Sequence, residues 1–251
     1  MKTAPFIALP LVALLAACGD AADPVESEPT ETAAPVAVAT PAGPLAPRND
    51  CGDVPGAQAF LDQVNAAVTA RDVDAFVNLA DVLVRLGFGG EDGAANLRET
   101  LEAPVNGQDG SMWDEIAELM AMGCAVSAAG EFTTIILPWY FAQDTGGDPF
   151  ETMIVTGEDI AVREAADGTS RQVATVSWDA VQLVPEEETA GIVFGAADET
   201  GWRRVRLMSG PGADPVTGYM RAETLRSVID YRLLAHNGDG RWKISALLAG
   251  D

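Results

Sequence analysis

The chain has 251 residues, with 38 Asp and Glu against 15 Lys and Arg and a formal net charge of −23 with His neutral. A surface of that sign repels polyanions, which excludes nucleic acid as a partner and disfavours anionic lipid headgroups. Hydrophobic residues make up 48% of the sequence, enough for a globular core, while a single histidine among 251 residues excludes a His-rich zinc site.

In chain order, Lys2, an apolar run over residues 6–15 and the small pair Ala16-Ala17 before Cys18 have the layout of a secretory signal. The run is too short to span a bilayer. Leu15-Ala16-Ala17-Cys18 resembles the lipobox of bacterial lipoproteins. That resemblance implies diacylation of Cys18, cleavage before it and attachment to the membrane through the Cys18 lipid. Residues 1–17 thus read as a lipoprotein signal peptide, and its loss removes Lys2 and takes the net charge to −24. Gly19 follows Cys18, and in the enterobacterial sorting pattern that this resembles, the absence of aspartate there implies the outer membrane, facing the periplasm. Residues 18–50 carry Asp20, Asp23, Glu26, Glu28 and Glu31, with prolines at 24, 29, 35, 41, 44 and 47. Such a segment cannot build a core, and at about 3.1 Å per residue it reads as a disordered stalk on the order of 100 Å long.

Order is expected from Cys51, and residues 51–145 read as a small helical domain ending in an aromatic connector. Phe60, Leu61, Val64, Ala67 and Val68 recur at helical spacing, and Asp72-Val73-Asp74 opens a second helix carrying Phe76, Val77, Leu79 and Ala80. Residues 82–86 fit strand or helix and run into the turn Gly87-Phe88-Gly89-Gly90. Two further helices are expected at 94–101 and 112–120, separated by the turn-rich residues 104–110. Over residues 60–101 this order resembles the opening of the nuclear-transport-factor-like cone fold. The helical pattern at 104–125 departs from the long antiparallel strands of that fold, so no pocket or catalytic residue is carried over.

Cys51 and Cys124 are the thiols left beside Cys18, and an oxidising envelope compartment favours a disulfide between them. Closing that loop would stabilise by about 4 to 5 kcal/mol in the chain-entropy description. Two unpaired buried thiols, or a nucleophilic Cys124 served by the lone His236, are the alternatives. His236, beside Asn237-Gly238-Asp239-Gly240, reads as an exposed turn residue. The connector Pro138-Trp139-Tyr140-Phe141 suits either a mutual packing surface between domains or a ligand groove. The Asp144–Asp148 loop lacks the oxygen spacing and closing glutamate of a calcium site.

Beyond residue 146 the pattern changes to short strands, at 153–157, 160–163, 172–184 with Trp178 as a core residue, 201–207, 218–220 and 225–227. Val155-Thr156-Gly157, the Val162-Arg163 pair, Gly201-Trp202-Arg203-Arg204-Val205 and Gly218-Tyr219 followed by Leu225 resemble bacterial Src-homology-3-like domains over residues 152–227. Ala161 stands where that family commonly has asparagine, and long insertions follow Pro185 and Ser209. The resemblance implies an all-β Src-homology-3-like barrel that recognises peptide or cell wall, with Trp202 and Tyr219 as candidate groove residues. Residues 228–236 and 241–248 alternate apolar and polar as a C-terminal β-hairpin that extends the barrel sheet or docks on the helices.

The expected architecture is therefore α+β: a helical domain at 51–145, then a barrel-like domain with an added hairpin at 146–251. No nucleophile elbow, phosphate loop or dinucleotide fingerprint occurs. No catalytic residue, metal or cofactor is assigned. The expected function is a lipid-anchored envelope protein that binds cell-wall peptide or a partner protein. A wall hydrolase using acids or Cys124, or an accessory subunit docking through residues 138–141, are the rival readings.

Overall fold

The computed structural model describes residues 42–90, 92–103, 111–129, 132–184, 201–208, 214–238 and 240–250. The signal segment, Cys18, the stalk up to residue 41, the turn at 104–110 and the acidic insertion at 185–200 lie outside the described residues. Among the described residues four α-helices and two β-sheets form one mixed α+β body.

Helix α1 (Ala57–Ala70) buries Phe60, Leu61, Val64, Ala67 and Val68, the stripe its spacing predicts, and ends where Arg71 turns left-handed. Helix α2 (Val73–Leu79) starts where the Asp72 carboxylate accepts the Ala75 N–H at 3.0 Å. Helix α3 (Ala94–Glu102) buries Leu97 and Leu101. Helix α4 (Met112–Ala121) opens on a capping box in which Ser111 and Asp114 satisfy each other's backbone N–H.

These helices do not stand alone. Their apolar stripes pack on a five-stranded sheet of order β1-β12-β11-β3-β2, made of β1 (Ala80–Arg85), β2 (Ala125–Ala129), β3 (Phe132–Leu137), β11 (Arg232–Gly238) and β12 (Arg241–Leu248). The expectation of a helical domain at 51–145 is corrected accordingly. Residues 82–86 fall mainly in strand β1, which also takes Ala80 from the expected second helix, and residues 125–137, where the helical domain was expected to pass into the connector, supply two strands. The remaining strands are the C-terminal hairpin, which joins this sheet and not the barrel strands: β12 runs parallel to β1 and β11 runs antiparallel to β3. The physical reason is burial. Leu233, Ala235, Ile244 and Leu247 are at most 2% exposed because they cover the same core as Phe60, Phe76, Leu97 and Ile116.

The second sheet has the order β10-β4-β7-β8-β9-β5-β6, from β4 (Thr152–Val155), β5 (Ile160–Arg163), β6 (Gln172–Val176), β7 (Ala180–Leu183), β8 (Trp202–Leu207), β9 (Thr217–Arg221) and β10 (Leu225–Ser227). Among the described residues no ladder joins β6 to β10, so the sheet is not a closed barrel. Its own core is Val155, Val162, Val176, Val181, Val205 and Met220. On the opposite face of β4 and β7, the cross-strand pair Ile154 and Ala180 belongs to the core built by the helices and the first sheet. The expected boundary at 145/146 thus cuts through the first sheet, whose strands β11 and β12 come after it, and the two sheets share a core.

Three further expectations change. Residues 42–50 are part of the folded body: Leu45 and Ala46 are 6% and 2% exposed, Leu45 N–H bonds to the Trp178 carbonyl at 2.8 Å, and the Cys124 N–H bonds to the Arg48 carbonyl at 2.8 Å. The apolar pair and its backbone partners order a segment whose proline content suggested a stalk. Residues 172–184 are two strands, with Trp178 in the turn between them at φ 40° and packed against the larger core. His236 lies within β11, half-buried and edge-on to Phe132 with ring centroids 6.2 Å apart.

Candidate functional site

Strands β8 and β9 are paired so that Trp202 stands opposite Arg221 and Arg204 opposite Tyr219, while Arg163 on β5 stands opposite Tyr219 from the other side. Paired residues share a face. One sheet face therefore carries Trp202, Arg204, Tyr219, Arg221 and Arg163, and Val205 and Met220 point the other way into the core. Gly218 lets β9 approach β5, since a Cβ there would lie 2.6 Å from the Arg163 carbonyl oxygen.

Beside this face is a groove of about 560 Å³ lined by Trp202, Arg221, Arg163, Ala161, Asp159 and Asp167, among others. Trp202 forms its wall with 8% of its surface exposed, and the Arg221 guanidinium carbon is 5.2 Å from its ring centre. Arg163 donates to the Ser170 carbonyl at 2.7 Å, which fixes the β5–β6 turn at the groove's edge. The Asp167 carboxylate accepts from the Thr169 N–H and hydroxyl, both at 2.9 Å, and these bonds hold its pKa below the usual carboxylate value. Arg221 also lies 3.5 Å from Glu223. The groove thus offers an aromatic wall with cations and anions side by side, which suits a ligand carrying both kinds of polar group.

Of the candidate groove residues, Trp202 lines the cavity, and Tyr219 sits half-buried on the same face but outside it. The arginines and aspartates around them were not singled out by sequence, because charge is so frequent here that cross-strand register alone brings these together. Cys51 and Cys124 form a disulfide with Cα atoms 5.9 Å apart. That bond ties the start of α1's approach to the start of β2, and it leaves Cys124 no thiolate for nucleophilic attack. Trp139 and Tyr140 are 5% and 2% exposed; the Trp139 indole donates to Asp50 at 2.6 Å. They are core residues, whereas Phe141 is half-buried with the Arg232 guanidinium carbon 4.7 Å from its ring centre.

A second polar cluster lies where β10 meets α4. Arg226 is 8% exposed and bonds to Glu115, to Glu118 at 3.3 Å and lies 3.6 Å from Asp230. Its Nε–H is buried without a partner among the described residues. Burial pushes the Glu115 carboxyl up, offset in part by the hydrogen bond from Arg226. Burial opposes the Arg226 charge, yet the bond to Glu115 and the neighbouring acids outweigh it and raise the guanidinium's pKa. Tyr140 is pushed up to about 12, mainly by burial. None of these residues lines the groove, and the cluster joins β10 of the second sheet to helix α4. Among the described residues there is no group of three or more His, Cys, Asp or Glu arranged to hold a metal, and no helix is long and apolar enough to cross a membrane.

No family model and no curated protein sequence matches the chain. Solved structures similar to it include an NTF2-like protein with a cystatin-like fold from Novosphingobium aromaticivorans, at 9% identity and a TM-score of 0.25, covering 76% of this chain and 75% of that one. Another is an NTF-2 like protein of unknown function from Shewanella oneidensis MR-1, at 11% identity and a TM-score of 0.24, covering 77% of this chain and 95% of that one. Overlap of this size transfers neither fold nor chemistry to this chain.

Proposed function

We propose that this protein is a lipid-anchored envelope binding module, tethered through Cys18 and recognising cell-wall peptide at the groove walled by Trp202. The observation that carries the reading is the groove's composition: an aromatic wall with Arg163, Arg221, Asp159 and Asp167 around about 560 Å³. Peptide ligands present apolar, cationic and anionic groups within a few ångströms, and such a cavity can meet all of them. The order of β4 between β10 and β7, followed by the β7-β8-β9 meander, supports the Src-homology-3-like reading of residues 152–227. The acidic segment at the lipid end and the disulfide are consistent with an envelope location.

Co-sedimentation with purified sacculi tests this function. The wild-type chain is expected to pellet with the wall and Trp202→Ala to stay largely in the supernatant, with Arg163→Ala intermediate. Equal binding by wild type and both variants removes the groove from the account, and no binding by wild type removes the wall as the ligand.

A further inference from the structure

We infer that the peptide taken by this protein carries free carboxylates, and that it is held across the row Arg163, Tyr219 and Arg204, which starts at the groove's Arg163 and runs out of the groove over Tyr219 to Arg204. The inference rests on the proposed peptide-binding function and names the chemistry of its ligand. Three strands build the row: Arg204 on β8, Tyr219 on β9 and Arg163 on β5 are direct cross-strand partners. Arg206 continues the arginines along β8 opposite Thr217, and Arg221 continues them toward Trp202. Four of the 15 basic residues in a chain of net charge −23 thus lie on one face of one sheet, and all four are arginine.

The face is built for planar anions. Arginine's fork pairs with a carboxylate through two parallel bonds; Arg204 offers its fork, Arg163 offers the N–H groups left over from its bond to the Ser170 carbonyl, and the half-buried Tyr219 between them supplies a stacking surface and a hydroxyl. Arg206 is exposed and Arg204 half-buried, and neither has an ion pair among the described residues. The two outer arginines of the row are separated by two strand spacings, roughly 10 Å, close to the roughly 9 Å between carboxylates three residues apart on one face of a peptide in the polyproline II conformation. Anionic membrane is the poorer occupant, because the rest of the chain is strongly acidic and repels an extended negative surface. Asp159 and Asp167, on the groove side of Arg163, also disfavour a uniform polyanion and favour a peptide whose carboxylates alternate with amide or amine groups.

Fluorescence anisotropy with a labelled peptide bearing glutamate at every third position, against the same peptide with glutamine, tests the inference on the full chain. Wild type is expected to bind the glutamate peptide at low salt, to lose affinity as ionic strength rises, and to bind the glutamine peptide about tenfold or more weakly. Arg204→Gln should weaken the glutamate peptide by about tenfold and Arg206→Gln by about threefold. Arg98→Gln, on helix α3, should change nothing, and all three variants should keep the wild-type circular dichroism. Equal affinity for the two peptides overturns the inference, as does an unchanged affinity in Arg204→Gln. Tighter binding to phosphatidylglycerol vesicles than to the glutamate peptide overturns the choice of peptide over membrane. The sacculus assay reads separately: wall binding that ignores Arg204→Gln ends this inference and leaves the function standing, whereas glutamate-peptide binding without wall binding ends the function and leaves the carboxylate chemistry.

Discussion

Replacing Arg226 with methionine tests whether the two sheets form one cooperative unit. Methionine keeps the apolar stem and removes the guanidinium, which sits on β10 with its side chain 9% exposed and bonds to Glu115 and Glu118 of α4. Glu115 is then left 22% exposed without its cation. Stranding one member of a buried ion pair costs about 3 to 5 kcal/mol when desolvation is complete. Residual hydration of Glu115, and Glu118 at 67% exposure, reduce the expectation to about 2 to 4 kcal/mol. Urea unfolding followed by tryptophan fluorescence should show the midpoint falling by roughly 1 to 2 M, with a single transition retained in wild type. Arg226→Met combined with Glu115→Leu should recover most of the loss, because the stranded charge is gone. A single variant within about 0.5 kcal/mol of wild type would refute the reasoning, since the cluster would then be a solvated surface pair. So would a double variant as unstable as the sum of its singles.

Other expectations follow from particular contacts. Glu115 has its folded pKa raised above the ordinary 4.5, so its contribution to stability is full below that value and is lost as pH rises through the raised one; Glu115→Gln should flatten that part of the profile of urea midpoint against pH. Reducing the Cys51–Cys124 bond, which spans 73 residues of sequence, should lower stability by about 4 kcal/mol, and an unchanged midpoint in dithiothreitol would contradict its structural role. Gly218→Val places a branched side chain against the Arg163 carbonyl and Val162; it should lower the melting temperature by an amount equivalent to about 1 to 3 kcal/mol and weaken peptide binding together with it.

How much of this was legible in the sequence depended on whether the determining partner was local. The stripe of α1, the Asp72 cap and the Ser111-to-Asp114 box lie within a few residues of what they organise, and those helices were readable. The hairpin of β11 and β12 was also readable as a hairpin, but not its destination. Pairing of β12 with β1 joins Ile244 to Ala80, and no local pattern encodes a contact between residues so far apart in sequence. The same holds for residues 42–50, where Leu45 and Ala46 look like stalk until Trp178 and Cys124 supply backbone partners. In the groove, Trp202 was findable from its Gly-Trp strand start. Arg163, Arg204 and Arg221 became a set only through the register of β5, β8 and β9, and Arg226 met Glu115 only because β10 packs against α4.

The most direct test of the binding account is a two-dimensional amide and indole NMR titration with a synthetic wall stem peptide. The account expects the Trp202 indole N–H and the amides of Ala161, Arg163, Asp167, Gly168 and Arg221 to shift together and saturate with one affinity. Shifts confined to the helices and the first sheet, or no shifts at saturating peptide, would contradict it.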